Sequence, residues 1–271
     1  MSKISERFKH TKIQVGYCLI CGKHGRLSID HVPPKGAITI GKVAQKHLTE
    51  VLGYKQEKIK GVKSSNGSKF KTICHECNNS ILGGCDDEIA KVNKNLTNKI
   101  YEYFTFAQNI YPIVTVDVNA LKYSRAMIGH ILSATSVNDC KKEPFTTTYF
   151  TPLQDFVLGK TNDISNTHDI YYWFMPSRRH ISSKYIGMWS EGKQSALSLL
   201  SFFPIAFMVT EKGKGIYPSH ASKLEMSDEK LRLNLSTLYI PDADFPFANV
   251  KGMAFHLTLD YQTIISFPIK S

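Results

Sequence analysis

Tyr17-Cys18-Leu19-Ile20-Cys21-Gly22-Lys23-His24-Gly25-Arg26-Leu27-Ser28-Ile29-Asp30-His31-Val32-Pro33-Pro34-Lys35 is the stretch on which the fold turns, together with Cys74-His75-Glu76-Cys77-Asn78-Asn79 further along. Each Cys-x-x-Cys lets one tight turn present two thiolates to a single ion. Two such turns complete a tetrahedral sulfur site, and that donor set favours zinc. Four sulfurs leave no open position on the metal, so its expected role is structural: it ties two distant segments into one unit. Gly22, Lys23 and Lys71 stand beside the pairs, and nearby positive charge helps keep sulfur ionised. A redox function would need only one of the two pairs. His24 and His75 neighbour the ligands and are read as bystanders, because four thiolates saturate zinc. Cys85 and Cys140 are left over and are read as small buried apolar residues.

Outward from the first pair, Leu27 and Ile29 alternate with polar neighbours, the pattern of a half-buried strand. Pro33 and Pro34 end that strand. Residues 41–53 are expected to form a short helix with Val43, Leu48, Val51 and Leu52 inward, ended by Gly53. A helix is expected from Asn78, broken at Gly83-Gly84 and resumed over 86–95. Residues 119–137 read as another helix, with Leu121, Met127, Ile128, Ile131 and Leu132 inward. Thereafter the chain reads as strands: 170–175, 185–189, 197–209, 233–240, 253–259 and 263–267. The fold class is therefore α+β: a zinc-stapled N-terminal module over residues 1–100, then a β-rich mixed domain over 101–271.

The chain of 271 residues carries a net charge of +11. That charge is unevenly placed. Residues 1–100 hold 18 Lys and Arg against 8 Asp and Glu, whereas residues 101–271 hold 16 against 15. A positive field confined to the cysteine-bearing part suits a phosphate-binding face, with a merely solvated lysine-rich surface as the alternative. No apolar stretch follows the charged start, and the run 197–209 is too short to span a bilayer. The expected setting is cytoplasmic, with no membrane partner.

The ordered set Cys18, Cys21, Asp30, His31, Pro34, Cys74, Cys77 and Asn78 resembles the HNH endonucleases, the ββα-metal nucleases. The resemblance covers about residues 15–95, a third of the chain. It implies a metal-dependent endonuclease acting on DNA, in a setting such as restriction or phage defence. It implies that His31 is the general base for water, since a neutral imidazole suits that task near neutral pH. It implies that Asp30 and Asn78 hold a catalytic Mg2+ or Mn2+ ion, with Asn79 as the substitute for Asn78. Asn78 also suits an N-cap, and Asp30-His31 also suits a strand-end pair bonded to backbone. Period-two alternation sends Asp30 and His31 to opposite faces unless the strand bends. Lys35, Lys69 and Lys71 flank these residues and are expected phosphate contacts. Nicking modules of this kind cut duplexes in pairs, so a homodimer is compatible with the resemblance.

One departure stands out. The family's middle Asn, a few residues before the second cysteine pair, is missing; Asn66 is the nearest, and it reads as a turn residue. The group that orients His31 is therefore open, and a zinc-ribbon module that binds nucleic acid without cutting it stays as the alternative. An RNA-directed nuclease or a structural interaction protein is a third reading. In residues 101–271 the run Tyr171-Tyr172-Trp173-Phe174 is expected to place about half of its rings in a core, and Arg178-Arg179-His180 reads as a small basic loop.

Overall fold

The computed structural model describes residues 13–48, 51, 61–65, 67–106, 111–190, 192–236, 245–246, 255–257 and 262–269. The N-terminal arm, Asn66 and much of 237–261 lie outside them. Within them the chain is a mixed α+β structure built on antiparallel strands. A three-stranded sheet has the order β1-β2-β5, from Val15–Tyr17, His24–Val32 and Ser68–Cys74. A π-helix over Glu76–Leu82 leaves the second cysteine pair and runs into α1, Gly83–Thr105. Helix α2 spans Ala120–Ser133, capped by the Asn119 side chain accepting from Lys122 N. Helix α3 spans Phe150–Val157.

The large sheet comprises β3 (Lys42–His47), β4 (Val62–Ser65), β7 (His168–Phe174), β8 (His180–Ser190), β9 (Lys193–Phe202), β10 (Ile205–Glu211), β11 (Ser222–Lys223), β13 (Phe255–Leu257) and β14 (Thr263–Pro268). Its order is β11-β7-β10-β9-β8-β14-β3-β4, with β13 also on β8. A two-stranded ribbon pairs β6 (Ile113–Asp117) with β12 (Lys230–Asn234). On β12 the leucines are buried and Arg232 and Asn234 exposed, as their alternation requires.

Residues 42–47 form a strand, where a helix was expected. Val43, Gln45 and His47 are buried in alternation, and Lys42–His47 pairs with β14 on one side and β4 on the other. The short apolar run fits either period, and sheet partners far along the chain decide for two over 3.6. The segment between the cysteine pairs is thereby knitted into the sheet of the C-terminal part. One hydrophobic cluster runs from Cys18 and Ile73 through Leu96 and Ile128 to Phe207 and Ile264.

The opposite face of the large sheet has its own cluster, including Trp173, Leu199 and Met208. This is why all four aromatic residues of 171–174 are buried, rather than half: Tyr172 and Phe174 enter one core, Tyr171 and Trp173 the other. The expected break at Gly83-Gly84 is absent. Gly83 has right-handed helical angles (φ −55°, ψ −30°), and the π-helix passes directly into α1. In α2, Met127, Ile128, Ile131 and Leu132 are fully buried, and Leu121 packs at the edge. No helix among the described residues is long and apolar enough to cross a membrane.

Candidate functional site

The first knuckle is a turn closed by Gly22 N donating to the Cys18 carbonyl at 2.9 Å and Cys18 N donating to the Lys23 carbonyl at 3.0 Å. Gly22 takes φ +73°, a conformation that glycine adopts without strain. Leu19 N donates to the Thr72 carbonyl at 3.1 Å, so the turn docks on β5 directly before the second pair. The Sγ atoms of Cys18, Cys21, Cys74 and Cys77 all lie within 4.8 Å of one another. Cys21 and Cys74 approach to 3.8 Å. A zinc ion with Zn–S bonds of about 2.3 Å has a tetrahedral edge of about 3.8 Å, so the cradle has the size for zinc. No disulfide joins them; all six cysteines are free. The hydrogen bond from Cys77 favours the Cys18 thiolate, and burial disfavours ionisation of Cys21. A dication would hold all four as thiolates. His24 is exposed and packs edge-on against Tyr17, and His75 is exposed, so both stand outside the cradle. Cys140 is buried as expected, but Cys85 is only half-buried.

Strand β2 carries the next residues, and a bulge decides where they point. Leu27 faces Cys74 and Ser28 faces Ile73, but Asp30 faces Phe70, so β5 contains one extra residue at this point. The alternation expected from Leu27 and Ile29 is broken there: Leu27 is buried and Ile29 exposed. Asp30 takes the inward place and is 3 % exposed. His31 turns to the other side, half-buried and opposite Lys69. Beyond the bulge the pairing is regular, so ordinary alternation leaves the two residues on different faces of the strand end.

Each acquires its own surroundings. Asp30 Oδ2 accepts from His130 Nδ1 at 3.0 Å and from the Ser133 hydroxyl. His130 is fully buried in α2, and its Nε2 lies 2.9 Å from Asp86 Oδ1 on α1. Burial alone would push the His130 pKa down; the Asp30 and Asp86 carboxylates outweigh it and raise it to about 10. His31 shifts the other way. Burial first, then the ammonium groups of Lys35 and Lys69, hold it below its ordinary range against the pull of Asp30. Its imidazole is therefore neutral at neutral pH.

Asn78 lies in the first turn of the π-helix, directly after Cys77. Its Nδ2 donates to the Ile29 carbonyl and to Ser28 Oγ, both at 2.8 Å. The amide oxygen thus faces away from the strand. This bond clamps the start of the helix to β2, one residue from Asp30. Asn78 is not the N-cap, for the helix begins earlier and His75 stands at that position without a side-chain cap. Asn79 is exposed. Lys35 is exposed in the 3-10 turn Lys35–Ala37. Lys71 departs from expectation: it is 8 % exposed, and its Nζ donates to Gln14 Oε1 at 2.8 Å. The same bulge that buries Asp30 draws this lysine inward, leaving Lys35 and Lys69 beside His31. His180, read as part of a basic loop, is instead buried at the start of β8, with Nε2 3.2 Å from Thr39 Oγ1.

Asp86, His130 and Ser133 escaped the sequence reading. They come from two helices and meet Asp30 only in the fold. The available signal was a histidine on the apolar face of α2, between Met127 and Ile131. No family model, no curated protein and no solved structure matches the chain.

Proposed function

We propose that this protein is a metal-dependent endonuclease that hydrolyses phosphodiester bonds in DNA, with residues 15–95 as an HNH-like unit. The observation that carries the reading is the joining, beside the four-cysteine cradle, of a neutral half-buried His31 to a buried, oriented Asp30 at one strand end. Two antiparallel strands and a helix, β2, β5 and the Glu76–Leu82 turn with α1, surround that strand end. His31 accepts a proton from water, whose oxygen attacks phosphorus as the 3′ oxygen leaves. Lys35 and Lys69 hold the phosphate on the His31 side and keep the imidazole unprotonated.

Asp30 Oδ1 and the Asn78 amide oxygen are the hard donors suited to Mg2+ or Mn2+, with Asn79 as the substitute. Neither oxygen accepts a hydrogen bond among the described residues, which is what an ion-binding role requires. Such an ion supplies charge stabilisation to the phosphorus centre and the leaving oxygen. The residues 101–271 would serve recognition, sensing or pairing of two copies.

The test is nicking of supercoiled plasmid with Mg2+ or Mn2+ by the wild type and by His31→Ala. Loss of cleavage in the variant, with zinc content and melting temperature retained, is the expected result; equal cleavage by both overturns the catalytic assignment. One observation favours a second reading, zinc-dependent nucleic-acid binding without cleavage: the His31 ring makes no hydrogen bond among the described residues, so no group there orients it. DNA binding without metal-dependent nicking in the wild type would select this second reading.

A further inference from the structure

The Asp30 carboxylate is held from behind by a chain of side chains that leads to the surface. His130 stands between two carboxylates, with Nδ1 3.0 Å from Asp30 Oδ2 and Nε2 2.9 Å from Asp86 Oδ1. Both ring nitrogens face oxygen acceptors, so both donate. Ser133 adds a second donor to Asp30 Oδ2. Two donors on one oxygen fix the carboxylate's rotation and leave Oδ1 as its available atom. The distal anchor, Asp86, has a side chain 28 % exposed, whereas the His130 side chain is wholly buried. A buried, doubly bonded histidine on a largely apolar helix face is costly to maintain for packing alone. A leucine there would serve the core better.

We propose that His130 is a positioning residue that aims Asp30 Oδ1 at a divalent cation, with Asp86 anchoring the imidazole. The inference rests on the reading that Asp30 helps to hold such an ion. Its action passes through Asp30 alone, without touching nucleic acid. Hydrogen-bonded partners of this kind commonly tune metal affinity ten- to a hundredfold.

The experiment measures Mn2+ binding to the zinc-loaded full-length protein by electron paramagnetic resonance of the free ion, alongside plasmid nicking. His130→Leu removes both hydrogen bonds at similar volume. His130→Asn keeps a donor near the Nδ1 position toward Asp30. Asp86→Ala removes only the anchor and changes a partly exposed side chain, so it keeps the test open should His130→Leu fail to fold. The expected result is Mn2+ affinity weakened about tenfold or more in His130→Leu and several-fold in Asp86→Ala, with most of it restored in His130→Asn. His31→Ala should lose nicking and bind Mn2+ as the wild type does. Affinity within twofold of wild type in folded His130→Leu or in Asp86→Ala overturns the positioning role and leaves the nuclease reading standing. Weakened Mn2+ binding in a protein that never nicks DNA supports the positioning role and removes the nuclease reading. A wild type that binds no Mn2+ overturns both.

Discussion

Gly129 of α2 lies directly against Leu82 at the end of the π-helix: a Cβ added at Gly129 would overlap Leu82 Cδ2. A side chain there requires the buried Leu82 side chain to shift from its place. The contact sets the distance between the cysteine-bearing turn and the helix that carries His130. Gly129→Ala should therefore destabilise the protein by about 1–3 kcal/mol in urea unfolding, although alanine is the better helix former. Leu82→Ala in the same chain opens the space, so the double variant should lose less than the two single losses added together. Strict additivity would show that the two residues do not touch.

The cradle of four sulfurs predicts one zinc per chain, with Cys18, Cys21, Cys74 and Cys77 as the ligands. Cys18→Ser or Cys77→Ser should bring zinc well below one equivalent and lower the melting temperature. Cys85→Ser and Cys140→Ser should keep the full equivalent. Prolonged chelation of the wild type should have the same effect as ligand loss, because an ion in the cradle would join the Cys18 turn to the end of β5. Elemental analysis alongside thermal unfolding checks all of these. Undiminished zinc in Cys18→Ser would remove the cradle from the account.

How much of this was legible in the sequence depended on the range of the signal. The four-cysteine cluster was legible because each pair is local and two pairs need one another. Helix α2 was legible because its apolar residues repeat over four turns. Strand β3 was not: Val43, Gln45 and His47 acquire a period-two meaning only when β14 and β4 lie beside them. Nor was the inward turn of Asp30 and Lys71, which depends on one extra residue in β5. The Asp30–His130–Asp86 chain was out of reach for the same reason, since α1, α2 and β2 converge there only through packing.

Two buried histidines outside the cradle predict an acid limb of stability. Burial lowers His180 to about 4. Burial likewise lowers His168 to about 4, against opposing pulls from Glu211 and Asp169. An unfolded histidine titrates near ~6.5. Between pH 6.5 and 4 the unfolded chain therefore binds protons that the folded chain refuses, and stability falls with falling pH. Each site contributes on the order of 3 kcal/mol across that window, all of it present above pH 6.5. His180→Gln should flatten the fall between pH 6.5 and 4 in urea denaturation measured at several pH values. A variant with the same slope as wild type would mean that His180 is protonated in the fold.

If the proposed endonuclease reading holds, the lysines set how DNA binding responds to salt. Lys35 and Lys69 both lie near enough to His31 to depress its pKa, so a phosphate approaching that ring meets both. Each phosphate contact adds a slope of about −0.9 to log K against log salt. Replacing both lysines by glutamine should weaken binding and make the slope shallower by close to two. Lys71 shares their charge but not their position, since its Nζ is turned inward to Gln14. Lys71→Gln should leave the slope alone and reduce stability modestly, through loss of a partly buried hydrogen bond of about 1 kcal/mol or less. Fluorescence anisotropy from 50 to 200 mM salt separates the cases. An unchanged slope in the Lys35/Lys69 double variant would place the phosphate path elsewhere, and a shallower slope in Lys71→Gln would mean that this side chain swings outward to meet DNA.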